Sequence, residues 1–262
     1  MEQGIYLERQ GPIARIVLNR PAKRNAMTAA MWQAIPALCA EIAADPEALV
    51  VVLTGAGGKA FSAGADIAEF PEVYETPEST RAYNEAVEAA QEAIVALDRP
   101  TIAAISGACV GGGCGLALAS DFRFATEDAR FAIPPATLGL AYSFNATRRL
   151  VGKVGPSRAK DMLFSGRLIA ADEALRIGLV DRVVAAEALD QTVAAYAERL
   201  ASVSQYTIRT MMRMVDAITL GADAPTPELA EAWAASFTGA DFAEGYRAFM
   251  EKRSPVFRWR GH

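Results

Sequence analysis

Two glycine-rich stretches carry the residue types best suited to chemistry: residues 55–67 (GAGGKAFSAGADI) and residues 107–115 (GACVGGGCG). Each follows a short apolar run and opens onto a segment with helical character. Backbone N–H groups at a helix start have no internal acceptor and sit at the positive end of the helix dipole. Glycine lets such a backbone approach a ligand closely. Two N–H groups from separate loops, aimed at one point, would form an oxyanion hole. Glycine also serves simply to let a chain turn tightly, and that reading stands beside the chemical one. Other glycine chemistry fails on the letters. The GxxxxGK[ST] frame is broken by Leu53 at the first glycine position and Ala60 after Lys59, and neither strand leads into GxGxxG.

The acid–base inventory is narrow. The only histidine is His262, the last residue. Without an internal histidine the chain has no His general base, no Ser-His-Asp triad and no His-ligated metal. Cys39, Cys109 and Cys114 are odd in number and form no CxxC pair, so neither a disulfide framework nor a metal site is predicted. A formal charge of −5 argues against nucleic acid as a partner, so an anionic ligand needs local cations. The acidic start lacks a basic n-region and an apolar h-region, so no signal peptide is predicted and a cytoplasmic setting is expected. Residues 100–120 carry no charge and space Gly107, Gly111 and Gly115 as GxxxG. Interrupting glycines and a proline favour a buried strand, a turn and a buried helix over a membrane span.

These loops need rigid elements behind them. The length of 262 residues, with 52% hydrophobic and 22% charged, suits one large domain or two small ones with a sizeable core. Strands are predicted at 13–18, 49–54, 101–105 and 121–125, from β-branched or continuously apolar runs. Helices are predicted from Thr28 to about residue 44, over about twenty residues ending before Arg99-Pro100, and from Gly111 to Ser120. The tail from about residue 170 reads as mostly helical: 171–177, 185–200, 206–219, 227–236 and 241–252. The class is α/β, with a core over 1–200 and a helical region over 201–262 in the same fold unit.

The letters themselves resemble a family. Phe61-Ser-Ala-Gly-Ala-Asp-Ile67, followed by Gly107-Ala-Cys-Val-Gly-Gly-Gly-Cys-Gly-Leu-Ala-Leu-Ala-Ser-Asp121, is similar to the paired motifs of the enoyl-CoA hydratase/isomerase (crotonase) superfamily. Asn19-Arg-Pro, Asn25-Ala, Arg99-Pro-Thr-Ile-Ala-Ala-Ile, Leu138-Gly139 and Gly178-Leu-Val extend the likeness from about residue 5 to 260. The resemblance implies a ββα spiral core, a helical C-terminal trimerisation region, and a homotrimer or dimer of trimers. It implies an acyl-CoA substrate and no cofactor, CoA being part of that substrate. The thioester oxygen would lie between the N–H groups of Ala65 and Gly112. Lys23, Arg24 and Lys59 fall in the family's CoA-binding loops, and Lys252 would reach a neighbouring subunit's CoA. Each is also an ordinary surface charge. Ala63, Asp66, Ile67, Gly111, Pro135 and Leu138 are the remaining substrate-contact positions. Asp66 is read as a helix-start cap before it is read as a base.

Two departures bear on the reaction. Hydratases of the family carry two glutamates; their positions fall here on Gly115 and Pro135. Ordinary water addition therefore lacks its usual acid and base. Nearby stand Tyr142, which matches a tyrosine of methylmalonyl-CoA decarboxylases, and Ser143, at a position where other relatives place a working carboxylate. Tyr142 and Ser143 are the candidate catalytic side chains, and Tyr142 also reads as an apolar wall. Three readings stand. The first is hydration/dehydration or isomerisation of an enoyl-CoA by non-standard residues. The second is decarboxylation of a malonyl-type thioester, and the third an acyl-CoA binder without catalysis.

Overall fold

Strand-forming runs set up the frame that everything else hangs on. In the computed structural model, which describes residues 4–261, six strands make one sheet: β1 (Ile5–Gln10), β2 (Ile13–Leu18), β3 (Val50–Gly55), β5 (Thr101–Ile105), β7 (Phe122–Thr126) and β10 (Arg182–Val184). Their order is β1-β2-β3-β5-β7-β10. Only the β1–β2 pair is antiparallel. Four short strands, β4 (Ala60–Ser62), β6 (Ala108–Val110), β8 (Arg130–Ala132) and β9 (Ile169–Ala170), form a second sheet in that order. His262 lies outside the described residues.

The helices are α1 (Ala29–Ala44), α2 (Phe70–Val73), α3 (Pro77–Val95), α4 (Gly112–Ala119), α5 (Phe144–Ser165), α6 (Ala171–Arg176), α7 (Leu189–Ala201), α8 (Gln205–Thr219), α9 (Pro227–Ala235) and α10 (Ala240–Met250). The chain repeats one step: a strand in the first sheet, a short strand in the second, then helix. β3–β4, β5–β6 and β7–β8 each make that step, closing with α3, α4 and α5, so the ββα spiral is present. Parallel strands covered on both faces are apolar throughout, and β5 is buried over its full length. Val51 and Leu53 face Trp32, Ile35 and Phe61 on one side. Val50 and Val52 face Leu189, Val193 and Ala197 of α7 on the other.

Residues 100–120 form β5, β6 and α4, and no helix among the described residues is long and apolar enough to cross a membrane. The tail is mostly helical, with the short strands β9 and β10 before α6 and between α6 and α7. Residues 185–188 turn before α7 begins at Leu189. Helix α5 bends at Gly155, where φ is +75° ahead of Pro156.

Candidate active site

The segment between β2 and α1 and the first glycine loop are tied together by Asn25. Its side chain donates to the carbonyls of Ala56 (3.0 Å) and Ala60 (2.7 Å), and accepts from Arg20 N–H (2.9 Å). This fixes the strand-like approach of Met27 to Ala65. Met27 N–H donates to Gly64 O, and Asp66 N–H donates to Met27 O, both at 2.8 Å. In a parallel pairing the residue between those two partners turns its own N–H the other way. Ala65 N–H therefore faces away from Met27, toward the second glycine loop.

Gly112 meets it there as the first residue of α4, with Gly111 as cap at φ +53°. A Cβ placed on Gly112 would lie 3.9 Å from Ala65 N, and also 2.9 Å from the Trp32 indole. Glycine is required at this point by the close approach of Trp32. Gly64, at φ +93°, could carry a Cβ only 2.8 Å from Val110 O. The two loops thus approach each other, one through a bridge residue and the other through a helix start.

One turn further along α4, Gly115 faces Gln91 and Tyr142. A Cβ there would lie 2.6 Å from Gln91 Nε2 and 3.0 Å from the Tyr142 hydroxyl. Tyr142 is half-buried, and its hydroxyl donates weakly to Gly111 O at 3.4 Å. Burial pushes its phenol far above the ordinary value, so it is a neutral group at any working pH. Gln91 is 3% exposed on α3; its Oε1 accepts from Arg149 Nη2 at 2.8 Å. Arg149 also pairs with Glu92 at 2.7 Å.

The other predicted residues are placed as follows. Ser143 is exposed and caps α5, its Oγ accepting from Ala146 N–H at 3.3 Å. Asp66 caps the turn Ile67–Glu69 and pairs with Arg20 at 2.8 Å, which holds its carboxyl below the usual carboxylate range. Ala63 N–H donates to Arg24 O (2.9 Å), so the backbones that carry two of the proposed contacts touch. Lys23, Arg24 and Lys59 are exposed on the adjoining loops, where Gly57 packs on Pro21. A cavity of about 510 Å³ lined by Asn19, Arg20, Lys23, Thr28 and Met31 lies beside this rim. Pro135 and Leu138 bound a 3-10 turn, with Leu138 and Ile67 exposed. Lys252, at φ +54°, follows α10.

Sequence reasoning did not single out Gln91, Arg149 or Trp32. Gln91 had a signal: a polar residue in the apolar stripe formed by Tyr83, Ala90 and Ile94 of α3. Arg149 reaches it across 58 residues, a contact that no local pattern carries.

The sequence profile described as enoyl-CoA hydratase/isomerase matches residues 8–260. A short-chain-enoyl-CoA hydratase from Clostridium acetobutylicum is 35% identical over 250 residues, covering 95% of each chain. A carnitinyl-CoA dehydratase from Salmonella typhi is 34% identical over the full length of both. A solved structure assigned to the enoyl-CoA hydratase/isomerase family, from Hyphomonas neptunium, superposes with a TM-score of 0.96 at 42% identity, covering 99% of each chain.

Proposed function

The chain belongs to the enoyl-CoA hydratase/isomerase family, and on that premise we propose that it binds an acyl-CoA thioester and stabilises the thioester enolate between Ala65 N–H and Gly112 N–H. The observation that carries this reading is the approach of those two backbone donors from separate loops. Donors fixed before the reaction and aimed at a developing oxyanion lower its barrier without reorganising. The alkyl chain of the acyl group would run past Trp32 and Gly111 toward Tyr142. Lys23, Arg24 and Lys59 would meet the CoA phosphates, with the cavity beside Lys23 giving room for part of the nucleotide. Ala63, Asp66, Ile67, Pro135 and Leu138 would line the path between. No cofactor is needed, and reduced, buried cysteines suit a cytoplasmic setting.

Hydration/dehydration or isomerisation of an enoyl-CoA is the reaction that the relatives' names support. Tyr142, kept neutral by burial, would deliver or orient the proton. Ser143 would contribute from the rim, although its Oγ lone pair serves α5. A specific observation favours decarboxylation as a second reading. Gly115 and Pro135 leave the two positions that the resemblance gives to glutamates without a carboxylate, and among the described residues no carboxylate shifts the Tyr142 hydroxyl. Loss of CO2 from a malonyl-type thioester needs an enolate cradle and no base.

The test separates the N–H from the space around it. Proline is tolerated at the first helical position but donates no hydrogen bond. Both Gly112→Ala and Gly112→Pro press on Trp32, and only the second removes the donor. The expected result is kcat/KM for Gly112→Pro at least ~10²-fold below that of Gly112→Ala. Equal rates in the two folded variants would overturn the assignment. Mass spectrometry of crotonyl-, 3-hydroxybutyryl- and malonyl-CoA incubations, with chromatography for isomers, distinguishes water gain or loss, rearrangement and CO2 loss.

A further inference from the structure

Gln91 is oriented by a partner that leaves it no choice. Arg149 has only donors, so the amide must turn Oε1 toward it, and the 2.8 Å contact to Nη2 is that arrangement. The amide N–H2 is thereby aimed at Gly115, within 2.6 Å of where a Cβ would stand. Among the described residues no protein acceptor meets it. The neutral Tyr142 hydroxyl lies 3.0 Å from the same point. Its own bond to Gly111 O is long, at 3.4 Å. Behind them the Arg149 guanidinium is 12% exposed and has a buried Nε with no partner. Around Gly115 the Gln91 amide therefore offers donors with no protein acceptor among the described residues, Tyr142 has only its long bond to Gly111 O, and Arg149, paired with Glu92, stands behind them.

Building on the acyl-CoA reading, we propose that Gln91, held by Arg149 and flanked by Tyr142, is a specificity-determining contact that selects an acyl group bearing a carboxylate. A carboxylate offers acceptors only, and its bonds to such donors are charge-assisted. The acceptor that a glutamate at position 115 would supply from the protein is supplied here by the ligand. The reach is suitable: residues three apart on a helix lie about 5–6 Å from one another. Gly112 and Gly115 can thus hold the thioester oxygen and a carboxylate two carbons away at once. A neutral acyl chain would leave buried donors unpaired, which disfavours it.

The experiment compares malonyl-CoA with butyryl-CoA, which differ by a carboxylate against an ethyl group. Affinity is measured by calorimetry where the ligand is stable and as KM where it turns over. The wild-type protein is expected to prefer malonyl-CoA at least about tenfold. Gln91→Glu keeps an oxygen toward Arg149 and turns the second one into the corner, so the preference should fall at least about tenfold. Equal affinity of the wild-type protein for both thioesters would overturn the proposal while leaving the acyl-CoA reading intact. So would an unchanged preference in a Gln91→Glu variant with wild-type circular dichroism. Failure of both thioesters and of free CoA to bind would overturn the acyl-CoA reading itself. If Gln91→Glu does not fold, the wild-type preference decides alone.

Discussion

By the family resemblance Gly115 takes the place of a hydratase glutamate, and the first atom of such a side chain would be blocked. Its Cβ position is crowded by the Gln91 amide at 2.6 Å and by Tyr142 at 3.0 Å. Restoring the acid alone therefore overpacks a buried corner. Gly115→Glu is expected to destabilise the fold by about 1–3 kcal/mol without adding hydratase turnover. Gly115→Ala should cost less than Gly115→Glu, and Gln91→Ser should recover most of its loss. A double-mutant cycle of urea unfolding reads that coupling, and additive changes would show that the two residues do not compete. The neutrality of Tyr142 leads to a second expectation at this scale. Because burial raises its phenol, no alkaline limb in a rate profile belongs to it. An alkaline limb seen in the wild-type enzyme should persist at the same pH in Tyr142→Phe; its disappearance would assign the limb to the tyrosine.

Between elements, the site depends on two loops being held in register. Gly107 makes the turn from β5 to β6 at φ +55°, and a Cβ there would overlap the Lys59 carbonyl. Gly107→Ala should pull β4 from β6 and cost about 3 kcal/mol, read by urea unfolding. Asp66 ties the first glycine loop to the segment after β2 through Arg20. Its folded-state pKa is lowered by the Arg20 hydrogen bond first, then by the Ala68 N–H. The stability it adds is thus present above its unfolded value of about 4 and is lost as pH falls through the lower folded value. Asp66→Asn should lower stability at neutral pH and flatten the acid limb of the unfolding curve. What the sequence could disclose at this level follows element length. β2, β3 and β5 are long β-branched or apolar runs, and α3 has a clear apolar stripe. β4, β6, β8 and β9 are two or three residues long, too short for a period to emerge. Helix α5 was hidden because Gly155-Pro156 breaks its pattern in the middle. The two glycine loops were legible because glycine chemistry is local. The Gln91–Arg149 pair was not, because the geometry that orients the amide exists only after α3 and α5 have packed.

At the scale of the molecule, the C-terminal helices leave a wide apolar face. On α10, Phe242, Tyr246, Phe249 and Met250 follow the four- and three-residue spacing of one helix side and are 52%, 62%, 81% and 62% exposed, while Ala248 on the other side is buried. Trp233 and Phe237 add an edge-to-face pair of exposed rings. Single exposed apolar residues are ordinary, but a contiguous aromatic patch of this kind is a surface built to be covered. The family resemblance implies an occupant, further copies of this chain in a trimer or dimer of trimers, and that expectation is open to test. Lys252 sits immediately beyond this face in a left-handed turn. The family resemblance gives it a neighbouring subunit's CoA, a role that requires assembly. The two ideas make a joint prediction. Phe249→Asp places a charge in the patch and should convert the oligomer to monomer in light scattering after size exclusion. It should also weaken CoA binding to the level of Lys252→Ala, which itself should stay oligomeric. If Phe249→Asp is monomeric and binds CoA as tightly as the wild-type protein, Lys252 is a solvated charge and each subunit's site is complete alone. If it remains oligomeric, the aromatic face of α10 is not where the copies meet.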